Sequence, residues 1–140
     1  MALPDIHSQA KFERAISAQS NNTLSDVNGE SFDATGYRWL YYFVSLGNLA
    51  TTATVRLQSS ANGSSWSDVA GASHSVAATD DDSLVTLAVD MEANTGPYYR
   101  LVWTNGTAAA NAFAATSLGI WSKDTTAGGA YAVTSVTATW

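Results

Sequence analysis

The ten residues from Tyr37 to Leu46, YRWLYYFVSL, constrain the fold more than any other part of the chain. Side chains alternate across a strand, so Tyr37, Trp39, Tyr41 and Phe43 fall on one face and Leu40, Tyr42, Val44 and Leu46 on the other. Both sets are apolar or aromatic. A strand wetted on one side would carry polar residues at every second position, and only a strand covered on both sides reads this way. The segment is therefore expected at the centre of a sheet, with something packed on each face.

The rest of the chain reads as further short strands separated by turn residues. Ala53, Val55 and Leu57 alternate with Thr52, Thr54, Arg56 and Gln58, the pattern of a half-buried strand. Asn62-Gly63 tolerates the positive φ of a tight hairpin turn and leads to a return strand starting at Trp66. A short strand is expected at Ser73 to Ala78, then an acidic turn at Asp80 to Asp82, then a strand through Val85, Leu87, Val89 and Met91. The turn cluster Asn94 to Pro97 precedes Tyr99, Leu101 and Trp103, and Asn105-Gly106 gives a second hairpin signal. Between Asn111 and Trp121 the apolar phase changes from Phe113 and Ala115 to Leu118 and Ile120, which predicts a bulge near Thr116. A last strand is expected from Tyr131 to Trp140, with Val133 and Val136 in opposite phases.

About eight short strands at this spacing predict a single all-β domain over residues 37–140, an antiparallel β-sandwich or jelly-roll-like barrel. Composition agrees. Only 13% of the 140 residues are charged, against ~25% in an average globular domain, and Thr, Ser, Ala, Asn and Gly fill the places that Lys and Glu take in solvated helices.

Residues 1–36 differ from this pattern. Ile6, Phe12, Ile16, Leu24, Val27 and Phe32 are isolated among Ser, Asn, Gln and acidic residues, too sparse for a core of their own. They predict an extended N-terminal arm that gains order against a partner. A short helix from Ser8 to Ala18 would place Phe12, Ala15 and Ile16 on one side. The candidate partner-binding residues are Phe12, Ile16, Leu24, Val27 and Phe32 in the arm, and Trp140, a terminal aromatic that needs a surface to pack on.

Chemistry is sparse. A formal net charge of −6 opposes binding to a phosphate backbone, and the basic residues Lys11, Arg14, Arg38, Arg56, Arg100 and Lys123 are scattered rather than clustered for a membrane surface. No apolar run is long enough to span a bilayer as a helix. The opening residues lack the pattern of a signal peptide, so synthesis in a cytoplasm is expected. With no cysteine, thiol catalysis and disulfides are excluded. His7 and His74 lie in no catalytic motif, and consecutive carboxylates at Asp80, Asp81 and Asp82 lack the alternate spacing of a calcium loop. No enzyme activity, cofactor or metal is expected. The aromatic content opens one alternative, a carbohydrate-binding or adhesin module stacking sugars on exposed rings, although Trp66 is expected to pack over its own hairpin.

The stretch VRLQSSANGSSWSDV from Val55 to Val69 resembles a hairpin of small structural proteins in tailed bacteriophages, in which Leu-Gln-x-Ser leads through Asn-Gly to Trp-x-Asp. Pro97-Tyr98-Tyr99-Arg100-Leu101 is similar to the returning strand downstream in such proteins. The resemblance covers a minority of the chain and is closest to capsid decoration (cement) proteins. It implies a β-rich domain, often a homotrimer, on the outer surface of a virion head, bracing contacts between subunits of the major capsid protein. The arm lies outside the matched pattern; from its own composition, part of it, above all Thr23 to Phe32, is expected to cross onto a neighbouring copy or the capsid protein. A tail or head-completion protein is the other virion role that the resemblance allows.

Overall fold

A computed structural model describes residues 10–91, 96–120 and, for the backbone, 133–139. The described residues form ten strands: β1 (Ala10–Asn21), β2 (Val27–Asn28), β3 (Phe32–Asp33), β4 (Trp39–Leu49), β5 (Ala53–Ser60), β6 (Ser67–Val76), β7 (Ser83–Asp90), β8 (Tyr98–Asn105), β9 (Asn111–Ile120) and β10 (Val133–Thr139). They make two antiparallel sheets packed face to face, a β-sandwich as expected. Sheet A has the order β1-β9-β4-β7-β10, and sheet B the order β2-β8-β5-β6 with β3 also paired to β8.

The segment Tyr37 to Leu46 supplies β4, which lies at the centre of sheet A between β9 and β7. Leu40, Tyr42, Val44 and Leu46 turn inward and are buried. Across from them sheet B contributes Val55, Leu57, Tyr99, Leu101 and Trp103, all fully buried. Trp103 stacks on Phe113 with ring centroids 4.0 Å apart and planes within 10°. Its indole N–H donates to Asn105 Oδ1 at 2.7 Å, and the Asn111 side chain donates to the same oxygen at 3.0 Å. Asn105 in turn donates to the carbonyls of Asn21 and Ala109, while Asn111 Oδ1 accepts from the amides of Ala50 and Thr51. This buried network ties the end of β1 to the β4–β5 and β8–β9 turns. Asn105-Gly106 thus does more than turn the chain: a side chain at Gly106 would press on Thr52, whose carbonyl lies 3.1 Å from the Cβ position.

Four expectations need correction. The arm is not separate over residues 10–36. β1 pairs with β9 along the edge of sheet A, and β2 and β3 pair with β8 in sheet B. Gly29 N donates to Leu101 O at 2.7 Å and Glu30 N to Ala15 O at 2.8 Å, so this segment bridges the two sheets. A side chain at Gly29 would fall within 2.9 Å of both carbonyls. Nor is there a helix at residues 10–18. A short helix leaves its ends unsatisfied and gains little by itself in water, whereas a strand here completes the edge of β9 and delivers Ala15 and Ile16 to the core.

The third correction concerns β9, which has no bulge at Thr116. Its register with β4 runs unbroken from Ile120 opposite Trp39 to Phe113 opposite Leu46. The phase changes because the inward positions become small, Ser117 and Gly119, while the outward ones become apolar, Leu118 and Ile120. At Gly119 an added Cβ would meet the Phe32 ring at 2.9 Å and the Tyr37 ring at 3.0 Å. The return strand from Trp66 and the short strand at Ser73 are one strand, β6, which carries Gly71 at φ 79°. A register shift lies opposite, between Arg56 and Gln58.

Candidate interaction surfaces

Two outward faces of the sandwich differ in chemistry. On sheet A the side chains of β4 that point away from the core are Trp39, Tyr41 and Phe43, all half-buried. Their rings run parallel: Trp39 and Tyr41 lie 6.3 Å apart at 24°, and Tyr41 and Phe43 6.3 Å apart at 12°. Beside them on β9, Ile120 is opposite Trp39 and Leu118 opposite Tyr41. On β1, Phe12 is opposite Leu118 and is 64% exposed. These six side chains form an aromatic and aliphatic ridge. Toward the other end of the same face, Ala18, Ser45, Gly47, Asp82, Ala112 and Ala114 line an open hollow of about 480 Å³. Ion pairs flank this face: Arg14 with Glu30 at 2.9 Å and, buried, Arg38 with Asp90 at 2.9 Å.

The outward face of sheet B carries a hydrogen-bonded lattice instead. Arg56 donates to Asp26 at 2.8 Å, to Thr104 Oγ1 at 2.8 Å and to Asp68 at 3.3 Å. Gln58 donates to Asp68 at 2.9 Å and accepts two bonds from Arg100 at 2.9 and 2.8 Å. Thr104 Oγ1 donates to Asp26 at 2.5 Å, and this bond, with the Arg56 cation beside it, holds the Asp26 carboxyl below the ordinary carboxylate value despite the opposing effect of burial. The Arg100 guanidinium lies over the Trp66 ring, 4.5 Å from its centroid. Trp66 is half-buried, and one face of its ring is occupied by that cation.

The sequence-derived binding candidates are dispersed. Ile16 is 4% exposed and Phe32 1% exposed, so both belong to the protein's own core. Val27 packs against that core, half-buried. Phe12 joins the sheet A ridge. Leu24, 60% exposed, stands on the turn between β1 and β2. Asn21 Oδ1 accepts there from Thr23 N and Thr23 Oγ1 at 3.1 and 3.0 Å, which fixes the turn that presents Leu24. Trp140 and His7 lie outside the described residues, and His74 sits within β6. Two of the three consecutive aspartates hold backbone through their carboxylates. Asp80 Oδ2 accepts from Ala77 N at 2.8 Å, Asp81 Oδ1 accepts from Leu49 N at 2.7 Å, and Asp82 takes a positive φ of 57°. Tyr41, Phe43, Leu118 and Ile120 were not singled out as contact residues from sequence, although the two-faced alternation of β4 and the phase change in β9 are the signals that mark them.

No family model and no curated protein matches the chain. Among solved structures, the fold is similar to that of the PBSX exported protein XepA, with a TM-score of 0.61 and 14% identity over 94% of this chain. This chain spans 44% of XepA, less than half of its length. It is also similar to a chain from Bacillus endospore appendages, described as a novel family of disulfide-linked pili, with a TM-score of 0.52 and 11% identity. That match covers 81% of this chain and 90% of the other. At such identities the likeness is one of fold.

Proposed function

We propose that this protein is a structural subunit of a virion, acting by protein–protein contact as a decoration protein on the outside of a phage head, where it binds the major capsid protein and reinforces contacts between its subunits. The observation that carries this reading is the outward face of sheet A: an apolar, aromatic surface on a sandwich whose interior is already complete. Apolar surface of this extent on a small domain marks a site of association. The phage-type hairpin from Val55 to Val69 and the fold shared with an exported phage protein support a virion role over other assemblies. The appendage likeness favours an external structural role as well, but without cysteine this chain has no disulfide by which to link copies. Sugar stacking on Trp66 is the weaker reading, because Arg100 caps that ring and the surrounding polar groups already bond one another.

The test is differential scanning fluorimetry of heads with and without the protein, together with co-sedimentation. A ligand that binds only the assembled lattice raises its apparent stability by mass action, so decorated heads are expected to melt higher. Equal melting temperatures at saturating occupancy, or absence from the head pellet, would remove the decoration role.

A further inference from the structure

We infer that the outward face of sheet A is covered by a second copy of this chain, packed face to face about a two-fold axis. This rests on the reading of the chain as an assembly subunit and names a second copy as the partner of the apolar face, so that the major capsid protein would be met by the dimer through its other surfaces. Three features select a second copy. One face carries both a ridge, centred on Tyr41, Phe43 and Leu118, and a hollow floored by Ala112 and Ala114. A two-fold axis lying in that face and crossing the strands exchanges its two ends, so each ridge meets the other copy's hollow. Gly47 keeps the hollow open: an added Cβ there would come within 3.2 Å of the Ala112 side chain.

Charge is the second feature. The chain carries a net −6, which opposes self-association through most of its surface, yet the flanks of this face hold balanced pairs, Arg14 with Glu30 and Arg38 with Asp90. The ridge carries no charged side chain and the hollow is lined by a single one, Asp82, so the face as a whole does not select a basic partner and sets only one carboxylate per copy against the approach of a second. Area is the third. Five strands at ~4.8 Å spacing and about nine residues at ~3.3 Å each give roughly 700 Å², close to the ~800 Å² per partner of a standard interface. A patch that contacts itself closes at two copies, whereas a trimer requires two different patches on each copy. The dimer therefore replaces the homotrimer that the phage resemblance implies.

The experiment is sedimentation velocity on the full chain over a wide concentration range. Wild type is expected at twice the 14.7 kDa chain mass. Tyr41→Lys on the ridge and Ala114→Asp in the hollow should each raise the dimer dissociation constant at least a hundredfold. Mixing the two variants should restore a dimer, because the introduced charges then face each other across one of the two contacts. Both positions point away from the core, so circular dichroism should be unchanged. If either variant misfolds, Phe12→Asp on the exposed edge strand replaces it and should weaken the dimer at least tenfold. A monomer at every concentration, a trimer, or a dimer indifferent to these variants overturns the proposal. Failure to bind heads by a protein that does dimerise removes the decoration role and leaves the dimer standing.

Discussion

Sheets A and B are alike inside and unlike outside. Each turns a row of fully buried aliphatic and aromatic residues toward the shared core. Outward, sheet B joins Asp26, Arg56, Thr104, Asp68, Gln58 and Arg100 into one hydrogen-bonded lattice, while sheet A presents Trp39, Tyr41 and Phe43 with Leu118 and Ile120. A polar lattice whose members bond one another is stable against water and gives a partner little to gain by covering it. An aromatic ridge is the reverse, because removing it from water is favourable in proportion to the area covered, ~25 cal/mol per Å² before the costs of association are subtracted. One sheet is finished by its own side chains, and the other by contact.

That contrast can be broken most severely at the flank of sheet A. The Asp90 carboxylate is buried and accepts two bonds from Arg38, at 2.9 and 3.3 Å. Asp90→Ala leaves a guanidinium with little access to solvent and should cost about 3–5 kcal/mol in urea unfolding of the folded chain. A loss under about 1 kcal/mol would mean that the pair is replaced by water without effect.

The shared interior gives an intermediate effect. Tyr42 from sheet A and Tyr99 from sheet B have buried hydroxyls with no hydrogen-bond partner among the described residues. Burial pushes the Tyr99 hydroxyl up to about 12 from 10.0, and burial, with Glu13 and Tyr99 adding to it, pushes Tyr42 further. A raised folded-state value means that stability is fully present below pH 10 and is lost as pH rises from 10 toward 12 and beyond. The melting temperature of wild type should fall across that window. The doubly substituted Tyr42→Phe, Tyr99→Phe protein should lose less there, and at neutral pH it should match or exceed wild type, since it removes two unpaired buried polar groups. Equal alkaline profiles would place the titration elsewhere.

The smallest effect is expected on sheet B. Arg56→Met keeps most of the stem and removes bonds to Asp26 and Asp68, both partly exposed. Its cost should stay near ~1 kcal/mol and shrink further in high salt, with dimer mass unchanged. A variant that dissociates the dimer would show that sheet B, not sheet A, holds the contact.

Much of this contrast is written in the sequence. β4 is legible because both of its faces are apolar without interruption, and β5 and the turn into β6 are legible because Gly63, at φ 75°, follows an Asn whose side chain accepts from Ser64 N and Ser65 N. β1 is not. Register shifts between Arg14 and Ile16 and again between Ile16 and Gln19 break its alternation, so Ala15 and Ile16 are adjacent yet both buried. β2 and β3 are two residues each, too short for any period to show. The contact surface was hidden for another reason. An outward apolar position and an inward one look the same in a sequence, and only the small Ser117 and Gly119 reveal which side of β9 faces the core.

The pairing of β1 with β9 has a consequence for synthesis on the ribosome. Ala10 ends opposite Ile120 and Asn21 opposite Asn111, so the first strand emerges about a hundred residues before its neighbour exists. At ~5–20 residues per second it waits on the order of 5–20 s with Phe12 and Ile16 uncovered. The two register breaks that make β1 hard to read also make it a poor template for a straight strand. Once β9 has paired with it, β1 is the outer edge of sheet A, and there the two breaks work against the addition of a further strand.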